Sequence, residues 1–88
     1  MLTNGRIIDL NPVDGRKSFY GKARAEINGD EITLISYNTR VLRIKGGQIF
    51  RLWGGWSVTT QRHINAFLAV FADGQKGKAF FEALPFAS

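Results

Sequence analysis

Polar and apolar residues alternate most regularly in SFYGKARAEI, residues 18–27, where Phe19, Ala23, Ala25 and Ile27 fall on one side and Tyr20, Lys22, Arg24 and Glu26 on the other. A period of two marks a strand with one buried and one wet face, and here the wet face is mostly basic. Strand-like runs recur at 5–10, 17–27, 31–37, 40–45 and 48–53, with NPVDG (11–15), NGD (28–30) and KGGQ (45–48) between them. Glycine, asparagine and aspartate supply the backbone angles that tight turns require, and a Gly-Gly pair between two apolar runs fits a two-residue hairpin. Strands joined so closely pair antiparallel, because parallel strands need longer crossovers.

Beyond residue 59 the period changes. Ile64, Phe67, Leu68 and Phe71 recur at i, i+3, i+4 and i+7, which predicts an amphipathic helix over 60–72, with Arg62 opposite the stripe and Asn65 well off it. Thr59 or Thr60 is the expected N-cap, and Asp73-Gly74 the expected stop. KAFFEAL before Pro85 predicts a second, shorter helix or an irregular arm. The pattern as a whole is that of an α+β fold: an antiparallel meander of four to five strands covered on one face by one main α-helix, with a short C-terminal helix or arm. At 88 residues this is a single small domain, 1–88, with one core. A core of that size yields only modest stability, which leaves homo-oligomerisation open.

The KGGQ hairpin fixes which residues can face each other. With Gly46 and Gly47 as the turn, Ile44 faces Ile49, Leu42 faces Arg51 and Arg40 faces Trp53 on one side; Arg43 faces Phe50 and Val41 faces Leu52 on the other. Whichever side is covered by the helix, the open side carries an arginine beside an aromatic ring. That pairing serves cation–π packing and base stacking alike. Arginines shielding aromatics is the purely structural reading.

Charge adds to this picture. Twelve Lys and Arg stand against seven Asp and Glu, a net +5. The acids are Asp9, Asp14, Glu26, Asp30, Glu31, Asp73 and Glu82, so the chain from Ile32 to Ala72 holds no carboxylate, while Arg40, Arg43, Lys45, Arg51 and Arg62 all fall inside it. Such a window predicts either a solvated basic surface or one that attracts phosphate or an acidic protein. The absence of cysteine excludes disulfides and thiolate zinc sites. The N-terminal MLTNGRIIDLNP lacks the basic start and apolar run of a signal peptide, and no apolar run is long enough for a bilayer. The expected location is the cytoplasm, with no membrane partner.

Little in the chain suggests catalysis or metal binding. His63, the single histidine, falls at the edge of the apolar stripe, where a half-buried ring is expected and its loss should cost less than that of Phe67. It has no second histidine, cysteine or carboxylate on its helix with which to hold a metal. As a general base it would need an orienting acid brought in by the fold, such as Asp9, Asp30 or Glu31. Ser57, Thr59 and Thr60 stand where hydroxyls first of all cap helices. KGGQ and WGGW lack the spacing and the Lys-Ser/Thr pair of a phosphate-binding loop; a hairpin turn and a bend that lets Trp53 and Trp56 pack at a strand end account for them.

The runs KSFYGKA, LISYNTRV and WGGWSVTTQRHINAFL, within about residues 17–70, resemble a group of small uncharacterised proteins of bacterial phages and plasmids with a basic-aromatic strand, a SYNT turn and a TTxRHI helix start. The resemblance implies a mobile-element origin and supplies no catalytic residue. The expectation is therefore a non-enzymatic binding module that contacts nucleic acid through Tyr20, Lys22, Arg24, Arg40, Arg43, Lys45, Arg51, Trp53 and Arg62, with no catalytic or metal site and no cofactor. The alternative is a mobile-element inhibitor or adaptor, of anti-defence type, that binds an acidic surface of a host protein.

Overall fold

The structure, a computed structural model, describes residues 5–11, 21–72 and 77–87. The NPVDG turn beyond Asn11, Phe19, Tyr20 and the expected Asp73-Gly74 helix stop lie outside the described residues. Five strands, β1 (Arg6–Asp9), β2 (Ala23–Asn28), β3 (Glu31–Ser36), β4 (Thr39–Lys45) and β5 (Gln48–Arg51), form one sheet in sequence order. Every neighbouring pair is antiparallel, the meander expected from the short turns. Helices α1 (Val58–Phe71) and α2 (Lys78–Glu82) follow, and α1 packs on the sheet at β3. Among the described residues no helix is long and apolar enough to cross a membrane.

The turns form where the backbone needs positive φ. Gly46 and Gly47, at φ 59° and 79°, close the β4–β5 hairpin between paired Lys45 and Gln48, so that Ile44 faces Ile49, Leu42 faces Arg51 and Arg43 faces Phe50. Along β2, Ala23 and Ala25 are fully buried, and they join Leu34, Leu42, Ile64, Phe67, Leu68 and Phe81 in the core. Small residues on the sheet leave space for the large ones on the helix, which is how a single layer of helix fills so thin an interior. Burial of a side chain the size of Phe67 contributes about 1.5–3 kcal/mol.

Strand β5, helix α1 and the β3–β4 register depart from the sequence expectation: β5 ends at Arg51 instead of residue 53. Helix α1 starts at Val58, and its N-cap is Ser57, whose Oγ accepts from the Thr60 amide at 3.0 Å; the Ser57 hydroxyl donates in turn to Thr60 Oγ1 at 2.9 Å. Thr60 is thus the third helical residue and buried, because a serine three places ahead of an amide reaches it, whereas a cap at Thr59 or Thr60 would leave the first turn unwound. A bulge between Leu34 and Ile35 shifts the β3–β4 register: Leu34 pairs with Leu42, but Ile35 pairs with Arg40. Val41 is the additional residue, so Val41 and Leu42 are both buried and Arg40 lies on the opposite face of the sheet from Leu42. The expected Arg40–Trp53 pairing is replaced accordingly.

The C-terminal arm closes the β5 edge. The Arg51 amide donates to the Pro85 carbonyl at 2.8 Å and the Ala87 amide to the Arg51 carbonyl at 2.9 Å, which sets Phe86 beside Arg51 as a parallel bridge. An edge that would otherwise present unpaired backbone groups is covered at that point.

Candidate nucleic-acid interface

The face of the sheet away from α1 is built in three cross-strand rows. Asp9, Arg24, Ile35 and Arg40 form the first; Ile7, Glu26, Thr33, Arg43 and Phe50 the second; Asn28, Glu31, Lys45 and Gln48 the third. Alternation in β2 and β3 sends these residues outward, and the bulge brings Arg40 into the first row. Ile35 and Thr33 are nevertheless buried, each flanked in its row by long charged side chains. Stems of arginine cover apolar surface while their heads stay in water.

This surface is not the positive plate that the acid-free window suggests. Glu26 and Glu31 come from β2 and β3 to meet the cations: Arg40 Nη2 donates to Glu26 Oε1 at 3.1 Å, and Lys45 Nζ lies 3.7 Å from Glu31 Oε2. Arg43 Nε lies 3.2 Å from Glu31 Oε1, an ion pair in which the N–H is not aimed at the carboxylate and so makes no hydrogen bond. Arg24, Arg40, Arg43 and Lys45 therefore share the face with Asp9, Glu26 and Glu31. Exposed pairs of this kind are weak, about 0–1 kcal/mol, and compete poorly with a phosphate brought against them. Arg43, Lys45, Phe50 and Ala87 line a shallow depression of about 190 Å³ on this face.

At the Ser36 end of β3 the chain turns through Tyr37 and Asn38. Tyr37 has φ 56° and is 49% exposed. Its amide donates to the Lys22 carbonyl at 2.7 Å, Arg24 Nη2 donates to its carbonyl at 2.9 Å, and Lys22 Nζ stands 5.6 Å from its ring centroid. The other neighbour of the ring is His63, with centroids 5.7 Å apart and planes tilted by 44°. His63 is buried outright, not half-buried: it is 1% exposed, and its Nδ1 lies 2.7 Å from Ser36 Oγ. Burial, assisted by the adjacent Arg62 charge, lowers its pKa from 6.5 to about 4, so the imidazole is neutral at pH 7.

The expected contact residues thus separate into groups. Arg24, Arg40, Arg43 and Lys45 share the open face, and Lys22 joins it at the Tyr37 corner. Arg51 is turned to the helix side and is 8% exposed, with its guanidinium 4.2 Å from the Phe81 ring centroid and 4.8 Å from that of Phe86. It is a packing residue there, held by two aromatic faces. Trp53 packs against the core with its ring over Gly55, and Arg62 is half-buried on α1. Tyr20 lies outside the described residues. Sequence reasoning passed over Tyr37 and Glu31 as parts of this surface and placed Glu26 on it without its partner Arg40; the signal for Tyr37 was an aromatic at the last position of the 31–37 run, next to the turn-forming Asn38. Among the described residues no group of three or more His, Cys, Asp or Glu could hold a metal ion.

Sheet, helix and surface together define a small α+β domain whose uncovered sheet face mixes arginine, lysine, carboxylate and aromatic side chains. The chain belongs to the family described as a family of unknown function (DUF8033), whose model matches residues 8–83. No curated protein and no solved structure matches it.

Proposed function

We propose that the protein is a small, non-enzymatic nucleic-acid-binding module of the cytoplasm that uses the uncovered sheet face and the Tyr37 corner. One observation carries the reading: Arg24 of β2 and Arg40, Arg43 and Lys45 of β4 share the uncovered face with Phe50, and Lys22 stands at its edge against the half-exposed ring of Tyr37. Arginine and lysine beside aromatic rings meet the two needs of nucleic-acid binding, neutralisation of phosphate and a π-surface for bases. Because carboxylates already occupy part of the face, the expected binding is modest and strongly salt-sensitive.

Fluorescence anisotropy of labelled oligonucleotides across a salt series tests this. Affinity should fall linearly on a plot of log K against log salt, and Lys22→Glu with Arg24→Glu should flatten that slope by about one for each phosphate no longer neutralised. No binding at low salt, where electrostatic attraction is strongest, would sink the reading. Capture of one acidic protein that survives nuclease treatment would put the protein-surface reading in its place.

A further inference from the structure

We propose that Tyr37 is a stacking platform for an unpaired base, with Lys22 and Arg24 taking the neighbouring phosphates, so that the nucleic acid selected by this domain is single-stranded. The inference rests on the nucleic-acid reading above and names its substrate class.

The backbone at Tyr37 is the first argument. Hairpin turns elsewhere in the sheet meet their positive φ with glycine: Gly29 at 60°, Gly46 at 59° and Gly47 at 79°. Tyr37 adopts 56°, a region that side chains with a Cβ occupy only at a steric cost, and the turn residue after it is an asparagine, a type that tolerates this region far better. A turn selected for stability alone would carry glycine at this position. Strain of this kind concentrates at functional sites because the side chain is needed where the backbone resists it.

The second argument is how the ring is held. It is about half exposed, yet it leans on His63, which the bond to Ser36 fixes in the interior, and its carbonyl is gripped by Arg24. A ring already ordered in the free protein loses little freedom on binding. Lys22 stands near the outer limit of cation–π distance, where an ammonium can swing to a phosphate without breaking a strong contact. In a duplex each base face is covered by its neighbours, so a ring presented at a corner offers nothing to paired bases. Stacking on an aromatic side chain favours an unpaired base of any identity.

The test compares wild type, Tyr37→Gly, Tyr37→Phe and Tyr37→Leu for binding to an unstructured oligothymidylate of about 12 nucleotides, a length within the range of small single-strand sites, and to a fully paired, blunt-ended duplex without a loop. Wild type and Tyr37→Phe should prefer the single strand. Tyr37→Gly and Tyr37→Leu should lose roughly 5- to 100-fold on the single strand while their duplex affinity stays unchanged, and Tyr37→Gly should melt no lower than wild type. Equal single-strand affinity of the phenylalanine and leucine variants overturns the inference but leaves the broader reading intact. If wild type binds neither oligonucleotide, the broader reading falls first and takes this one with it. Should Tyr37→Gly unfold, the Phe/Leu comparison alone decides.

Discussion

Ser36 Oγ and His63 Nδ1, 27 residues apart in the chain, meet at 2.7 Å in the interior and join β3 to α1. The partnership suits a neutral imidazole, and its linkage to pH follows. The folded protein resists protonation of His63 down to about pH 4, whereas the unfolded chain takes the proton near 6.5. The unfolded state therefore binds more protons between those values. Stability attributable to His63 is fully present above pH 6.5, falls as pH drops from 6.5 to about 4, and levels off below. At about 1.4 kcal/mol per pH unit the loss is on the order of 3 kcal/mol. Urea melts from pH 7.5 to 5 should show this slope, and His63→Gln should flatten it; an unchanged slope in that variant would assign the effect elsewhere.

Phe67 is fully buried at the centre of the helix stripe, its ring centroid 5.2 Å from that of Phe71 with the planes tilted by 48°. Phe67→Ala is expected to cost about 3–5 kcal/mol. His63→Ala should come closer to that figure than its place at the stripe edge suggests, since it both opens space and leaves the buried Ser36 hydroxyl without this partner. Denaturant melts of the two variants at pH 7 give the comparison, and a cost at His63 below about 0.5 kcal/mol, the level of an ordinary surface change, would contradict the packing described.

What the sequence made legible was local. Gly46-Gly47, the alternation at Ala23 and Ala25 and the spacing of Ile64, Phe67 and Leu68 each carry their reason within a few residues, and the meander and its covering helix follow from them. The β-bulge was hidden because Val41 and Leu42 are both apolar, so the sequence does not mark which one is additional. Arg51 reads as a surface cation until Phe81 and Phe86, thirty or more positions further on, close over it. The ion pairs at Arg40, Arg43 and Lys45 were equally hidden, because Glu26 and Glu31 reach them only across the sheet.

Arg51 gives the next expectation. Its guanidinium lies between two aromatic rings and its backbone is bonded on both sides to the C-terminal arm. Ending the chain after Leu84 removes Phe86 and both backbone bonds, and should cost about 1–3 kcal/mol. Arg51→Met, which keeps an apolar stem of similar reach, should cost less than Arg51→Glu, which buries a carboxylate against the π faces that hold a cation. Thermal melts that rank the glutamate variant as the milder one would refute the sandwich.

Gly55 is required by close approach. A Cβ at that position would stand 2.5 Å from Trp53 Cζ2 and 2.6 Å from Cε2, inside any real contact distance. Gly55→Ala must therefore push the indole off its seat against the core. In a Trp56→Phe background, where Trp53 is the only indole, the emission maximum should shift to the red on this substitution. Gly54→Ala, whose Cβ would meet Phe86 at an ordinary 3.7 Å, should leave it in place. Identical spectra for the two would mean that Trp53 does not lie over Gly55.

Glu31 holds two cations of the open face, Arg43 Nε at 3.2 Å and Lys45 Nζ at 3.7 Å. If this face meets phosphates, that carboxylate is the residue working against binding, since a nucleic acid must compete with it for both partners. Glu31→Gln retains the shape of the side chain and removes the competing charge. The cost to folding should stay within about 1 kcal/mol, as for other partly exposed ion pairs. Oligonucleotide binding should tighten, and the dependence of log K on log salt should steepen by about 0.7 for each cation that gains a phosphate of a single strand, or about 0.9 on a duplex. Adding Arg43→Gln and Lys45→Gln to the same variant should cancel the gain, which separates their contribution from a general change in net charge. Unchanged affinity and slope in Glu31→Gln would exclude the Phe50 depression from the interface and confine binding to the Tyr37 corner.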